Sequence, residues 1–324
     1  MAHLPTLAAA ALTAALAAPV AAQTTWDMPT PYPDATFHTQ NIRTFAEEVA
    51  EATGGELEIT VHSAGSLFPH GEIKNAVRSM QVPIGEFFLS TLSNEDDAYG
   101  LDSQPFLATS YEEARALWEA QQPVIEELLA EQGLVPLFSV AWPPQGLYTN
   151  FEMESADGLS GLRFRAYNAT LEEFAQIAGA QPVQVEAVDI PQAFSTGQVE
   201  AMITSPTTGV NAKAWDFLSH YSPINAWVPK NVVVVNQRMF DRLDEGTRQA
   251  VLDAAAAAEE RGWQMSEEEA TSQTEALSEN GVTVYEPSEE LVSGLQEIGD
   301  QMTAAMRENG SEAAQRVLGA YEGQ

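Results

Sequence analysis

GLRFRAYNATLEEFAQIAGAQPVQVEAVDIPQAFSTGQVEAMIT, running from Gly161 to Thr204, switches repeatedly between a two-residue and a helical periodicity. In the strand Leu162–Tyr167, Leu162, Phe164 and Ala166 fall on one face and Arg163, Arg165 and Tyr167 on the other. Helix Thr170–Ile177 follows and stops at Gly179; then come strand Pro182–Glu186, helix Ile190–Ser195 and strand Ala201–Thr204. Strands interleaved with helices predict an α/β fold, with a largely parallel sheet and helices on both faces. Ligands of such sheets sit outside the carboxyl ends of the strands, so the loops after them are the places to search.

A first series of the same kind precedes this one. Thr25–Met28, followed by Pro29 and Pro31, suits a short strand ending in a loop. Helix Phe37–Ala52 stops at Gly54-Gly55, and strand Leu57–His62 follows. Next come helix Gly71–Met80, strand Ile84–Ser90, the polar loop Thr91–Asp97, helix Tyr111–Glu131 closed by Gly133, and strand Leu134–Val140. Beyond the second series lie strand Val232–Val235 and a helical stretch, Asp244–Leu277, too long for one small lobe: it either braces two lobes or breaks near Gly262. From about Glu289 to Gln324 two amphipathic helices separate near Asn309-Gly310. At 324 residues and 44% hydrophobic, the chain is long enough for two lobes with separate cores.

The start reads as a secretion signal, residues 1–22: an uncharged Leu7–Ala18 stretch, Pro19, then Val20-Ala21-Ala22, with cleavage expected after Ala22. Its first residues carry His3 but no Lys or Arg. No later apolar run approaches the ~20 residues a bilayer span needs, so a periplasmic location is expected. Cysteine is absent, which excludes thiol catalysis and cysteine-based metal sites. Forty-seven acidic against 14 basic residues give a formal charge of −33, which excludes nucleic-acid binding through a general basic surface. Any anionic ligand must then find a local cation strong enough to overcome a repulsive global field.

Arg165 is the foremost candidate for that cation, because it lies toward the carboxyl end of its strand. A guanidinium presents two parallel N–H donors to a carboxylate, a geometry that Lys cannot match. Each charged hydrogen bond contributes roughly 1.5–3 kcal/mol, against about 8 kcal/mol for a micromolar binder. From the strand alone, a surface ion pair with one of the many carboxylates accounts for Arg165 equally well. Loop residues supply the other candidates: Asn94 and Glu95 after strand Ile84–Ser90, and Tyr167 and Asn168 after Arg165. Trp142 in its Pro-rich loop, and Trp227 and Asn231 flanking Pro229-Lys230, read as pocket walls, with Phe68 and Tyr32 as further aromatic candidates and Phe88 and Trp215 as core. This aromatic inventory favours a compact hydroxy, keto or aromatic monocarboxylate; a diacid would need a second cation, from Lys230, Arg43, Lys74 or Arg78. There is no nucleophile elbow, Walker loop or His-Glu-x-x-His motif, and nothing fixes a third ligand beside His62, His70 and Glu72, so neither an enzyme nor a metal or other cofactor is expected.

Five segments in order, Leu67–Ile73 (LFPHGEI), Pro105–Ala114 (PFLATSYEEA), Gly161–Arg165 (GLRFR), Gly179–Val183 (GAQPV) and Gln192–Ala201 (QAFSTGQVEA), resemble the DctP-type extracytoplasmic solute-binding proteins of TRAP (tripartite ATP-independent periplasmic) transporters. The resemblance implies a two-lobed periplasmic-binding-protein-like fold, a long helix bracing both lobes, and a carboxylate-clamping arginine at the position of Arg165. It places residues 23–147 with about 233–270 in lobe I, and 148–232 with about 271–324 in lobe II. It also implies as partners a small carboxylate and the small and large integral membrane subunits of a TRAP transporter. Where the family often has an Asn after a Gly-x-Val-Asp-Gly-like run, this chain continues Ala201-Met-Ile-Thr204-Ser205, so Thr204 or Ser205 is expected to take that polar contact. A ligand sensor, an ATP-driven importer's binding protein and, more remotely, a secreted enzyme acting on a small acid are the rival readings.

Overall fold

The computed structural model describes residues 23–323, so the expected signal segment lies outside the described residues. β1 (Thr24–Pro29) leads into α1 (Phe37–Ala52) and β2 (Leu57–His62), which pairs with β1 in parallel. After a 3-10 turn at His70–Glu72 come α2 (Ile73–Arg78) and β3 (Ile84–Phe88); the expected strand to Ser90 ends early in another 3-10 turn, Leu89–Leu92. α3 (Tyr111–Ala130) opens on a capping box, in which Ser110 Oγ accepts from the Glu113 N–H and the Glu113 carboxylate accepts from the Ser110 N–H. β4 (Leu134–Ala141) then runs toward the other half of the molecule.

The second half holds β5 (Gly146–Thr149), β6 (Arg163–Ala166), α4 (Ala169–Ile177), β7 (Gln181–Gln184), α5 (Ile190–Ser195), β8 (Ala201–Thr204), α6 (Pro206–Asn211) and β9 (His220–Ser222). β10 (Lys230–Asn236) and α7 (Gln237–Phe240) return to the first half. α8 (Glu245–Glu279), β11 (Thr283–Val284), α9 (Glu289–Asn309) and α10 (Glu312–Glu322) complete the chain.

The sheets are mixed rather than largely parallel. β10 lies between β3 and β4 and runs antiparallel to both, and β5 is antiparallel to β8 and β9 in the six-stranded sheet β11-β9-β5-β8-β6-β7. The reason is chain crossing, since β5 and β10 are each entered from the opposite lobe. The two crossings lie side by side, tied by Trp142 N–H to Pro229 O (2.8 Å), Gln145 N–H to Trp227 O (3.0 Å) and Ala226 N–H to Gln145 O (2.9 Å). β10 carries Val232–Val235, whose even and odd members enter different core clusters, as a strand covered on both faces requires. Likewise Leu147, Phe164, Ala201 and Ile203 fill one face of the second sheet, and Tyr148 and Met202 the other.

α8 is a single unbroken helix of 35 residues that packs on α1 and β4 in one lobe and on α6 and β11 in the other. Gly262 is therefore a contact, not a break. A Cβ there would lie 2.5 Å from Val140 Cγ2 and 2.7 Å from Asn41 Nδ2. The expectation that all of 271–324 joins the second lobe fails for α10, whose Ala314, Val317 and Leu318 enter the same cluster as Leu117 and Ile125 of α3.

Candidate functional site

Between the lobes, beside the carboxyl ends of β6 and β8, lies a cleft with about 450 Å³ of empty space, its mouth included. Arg165 enters it from β6 and is only 3% exposed. Its Nε donates to the Val185 carbonyl at 3.0 Å, and its guanidinium carbon lies 4.9 Å from the Tyr167 ring centroid. Its buried Nη1 has no acceptor among the described residues. Burial pushes the guanidinium down to about 10, which leaves it charged at neutral pH. A buried charged donor without an acceptor carries a desolvation penalty that an incoming anion would relieve.

Glu186, beyond β7, faces the same cleft without pairing to Arg165. Its carboxylate takes His70 Nδ1 at 3.3 Å, a contact from one lobe to the other. His70 Nε2 accepts the Phe88 N–H at 3.1 Å, so the ring proton is assigned to Nδ1, facing Glu186. That hydrogen bond holds the Glu186 carboxyl below its ordinary range, despite partial burial, with Arg165 adding a smaller pull in the same direction. Two more side-chain bonds bridge the lobes: Asn168 Nδ2 to Ser90 Oγ (2.8 Å) and Asn211 Nδ2 to Thr36 Oγ1 (3.1 Å).

Aromatic rings form the remaining walls. Tyr32 and Trp142 meet edge to face at 5.0 Å, and Phe88 and Tyr167 at 5.5 Å. Asn231 sits behind the first pair: its Oδ1 accepts from Trp142 Nε1 (2.9 Å) and Tyr32 Oη (3.1 Å), while its Nδ2 donates to buried Glu86 (3.0 Å). Trp227, wholly buried, donates from Nε1 to Tyr167 Oη at 3.2 Å and so fixes that ring from behind.

Six expected site residues line the cleft: Arg165, Tyr167, Trp142, Tyr32, Thr204 and Ser205. Ser205 also caps α6, accepting from the Thr208 N–H at 3.0 Å. The others stand elsewhere. Asn231 and Trp227 are pushed back into a supporting layer because each is fully buried behind a ring that it holds. Asn168 is spent on capping α4 and on Ser90. Asn94 is exposed in a side groove beyond His70 and Glu186, and Glu95 points away to bind Lys74. Phe68 packs on the first-lobe core. Nor does a second expected cation reach the cleft: Lys230 faces Asp102 in the core, Lys74 faces Glu95, Arg43 faces Asp34, and Arg78 is exposed on α2. His70, Thr91, Gln145, Glu186 and Thr208 line the cleft without having been singled out as its residues, and Phe88, read as core, reaches it as well. Of these, Glu186 at the end of one expected strand and Thr91 just after another carried a usable signal.

The family model DctP, described as bacterial extracellular solute-binding protein, family 7, matches residues 30–309. A Bordetella pertussis extracytoplasmic solute receptor binding pyroglutamic acid is 42% identical, with a TM-score of 0.90 over 92% of this chain and 99% of that one. A marine metagenome TRAP solute-binding protein specific for pyroglutamate is 40% identical, with a TM-score of 0.90 over 93% and 99%. A Chromohalobacter salexigens TRAP periplasmic solute-binding protein with bound D-glucuronate, at 21% identity and a TM-score of 0.85 over 92% and 100%, shares the fold.

Proposed function

The chain belongs to the DctP family, the TRAP-type extracytoplasmic solute receptors, and from that premise we propose that its cleft captures one compact monocarboxylate, with pyroglutamate the first candidate. The observation that carries this reading is the buried guanidinium of Arg165, whose Nη1 lacks an acceptor inside a cleft reached by no second Lys or Arg among the described residues. One cation matches one carboxylate; aromatic walls match a small flat ring. Two relatives at 40% identity or more bind pyroglutamate, which supports the same choice.

In this reading the open lobes admit the acid, Arg165 pairs with its carboxylate, and closure brings His70, Ser90 and Thr36 against Glu186, Asn168 and Asn211. The closed form gains population only by the difference in affinity between the two states. Delivery would then be to the small and large integral membrane subunits of a TRAP transporter. No helix of the described residues is itself long and apolar enough to cross a membrane. Titration calorimetry of the mature protein with pyroglutamate, D-glucuronate and malate tests the reading. Stoichiometric binding without turnover, tightest for pyroglutamate, is expected; tighter binding of malate would overturn it.

A further inference from the structure

Arg165 and Glu186 place opposite charges on one cleft wall, yet each is held away from the other. Arg165 is tied through Nε to the Val185 carbonyl, on the residue just before Glu186. Glu186 is drawn toward the opposite lobe by His70, whose ring is fixed in turn by the Phe88 N–H. The cleft therefore presents a donor pole and an acceptor pole that do not neutralise each other. An ionised carboxylate can only accept hydrogen bonds, so whatever faces Glu186 must donate one. A second carboxylate, a ketone or a ring ester oxygen placed there would meet a like charge or an unpaired lone pair.

We propose that Glu186, positioned by His70, is the residue that sets solute specificity, by accepting a hydrogen bond from an N–H or O–H that the solute carries in addition to its carboxylate. This deepens, and rests on, the reading of the cleft as a monocarboxylate site. It narrows that site's substrate class to small acids with a second, donating pole, such as a lactam acid or a hydroxy acid. Keto acids and diacids are disfavoured. His70 acts as a positioning residue, because it turns the carboxylate across the cleft instead of letting it collapse onto Arg165.

The test compares pyroglutamate with 5-oxotetrahydrofuran-2-carboxylate, the lactone in which ring oxygen replaces the N–H at nearly the same shape, by calorimetry on wild-type protein and on Glu186→Gln. Wild type should prefer the lactam by at least about tenfold, the loss of one charged hydrogen bond. In Glu186→Gln the preference should shrink to within about threefold, because an amide can turn its NH₂ toward the lactone oxygen. Glutarate, barred by like charge in wild type, should bind the variant more tightly. Equal wild-type affinity for lactam and lactone overturns the assignment whatever the variant does. An unchanged ratio in a folded Glu186→Gln overturns it too. If neither ring acid binds wild type at millimolar concentration, the monocarboxylate reading itself falls, and the assignment with it.

Discussion

Two buried cations stand at corresponding depths in the two lobes and mean opposite things. Lys230, at the start of β10, is wholly buried with Asp102 beside it; their charged atoms lie 3.8 Å apart, and the Lys230 N–H donates to the same carboxylate at 2.9 Å. Arg165 is buried nearly as deeply, and its nearest polar partner is a neutral carbonyl. Desolvation is the leading influence on both cations, pushing each below its ordinary range, but Lys230 has a paired anion as its first offset, whereas for Arg165 Glu186, which is not paired to it, offsets it only after Tyr167. Burial of a charge therefore does not mark a site; burial without a counter-ion does. Where carboxylates outnumber cations 47 to 14, leaving one guanidinium without an anionic partner requires a wall that keeps the carboxylates off. Here the Val185 carbonyl, the Tyr167 ring and the diversion of Glu186 to His70 form that wall.

The contrast breaks most visibly at Asp102. Asp102→Ala strands the Lys230 charge in the core and should destabilise the fold by about 3–5 kcal/mol, read as a lower urea midpoint, while affinity for solute stays within about twofold. A well-packed Asp102→Leu/Lys230→Met double variant should recover most of that stability. Arg165→Ala should behave in reverse: at least about tenfold weaker binding by calorimetry, with an unchanged or higher midpoint, because an uncompensated buried charge is gone. If Arg165→Ala instead unfolds the protein and spares binding, the two cations have been assigned the wrong way round. Arg165→Lys sharpens the point, since it keeps the charge and loses the planar fork; a loss of about three- to tenfold, smaller than for Ala, is expected. Smallest of all, Arg163→Ala removes only a surface pair with Glu200, its side chain 45% exposed, and should shift affinity less than about twofold. Equal losses at Arg163 and Arg165 would remove the distinction between the exposed start and the buried carboxyl end of one face of β6.

Much of this was legible in the residues. The helices Phe37–Ala52 and Asp244–Leu277 and the strand Leu57–His62 follow from spacing and, for the first helix, from a glycine stop. The facing of Arg165 follows from strand parity, which needs no knowledge of the rest of the chain. The short strands β5, β9 and β11 escaped because two to four residues carry too little periodicity, and their pairing comes from segments far away. Gly262 could be read as a break or a contact, and only Val140 and Asn41 decide which.

For the site, the chain by itself determined that a cation had to be rare and therefore informative, and that Arg165 points off its strand opposite Phe164. Tertiary structure alone decided which carboxylate faces it. Glu95 and Glu186 both follow strands, yet Lys74 draws one outward and His70, 116 residues away in sequence, turns the other into the cleft. Side-chain direction along an element is set by local dihedral angles, whereas the partner that claims a charged atom depends on how distant segments pack, and no local period encodes that.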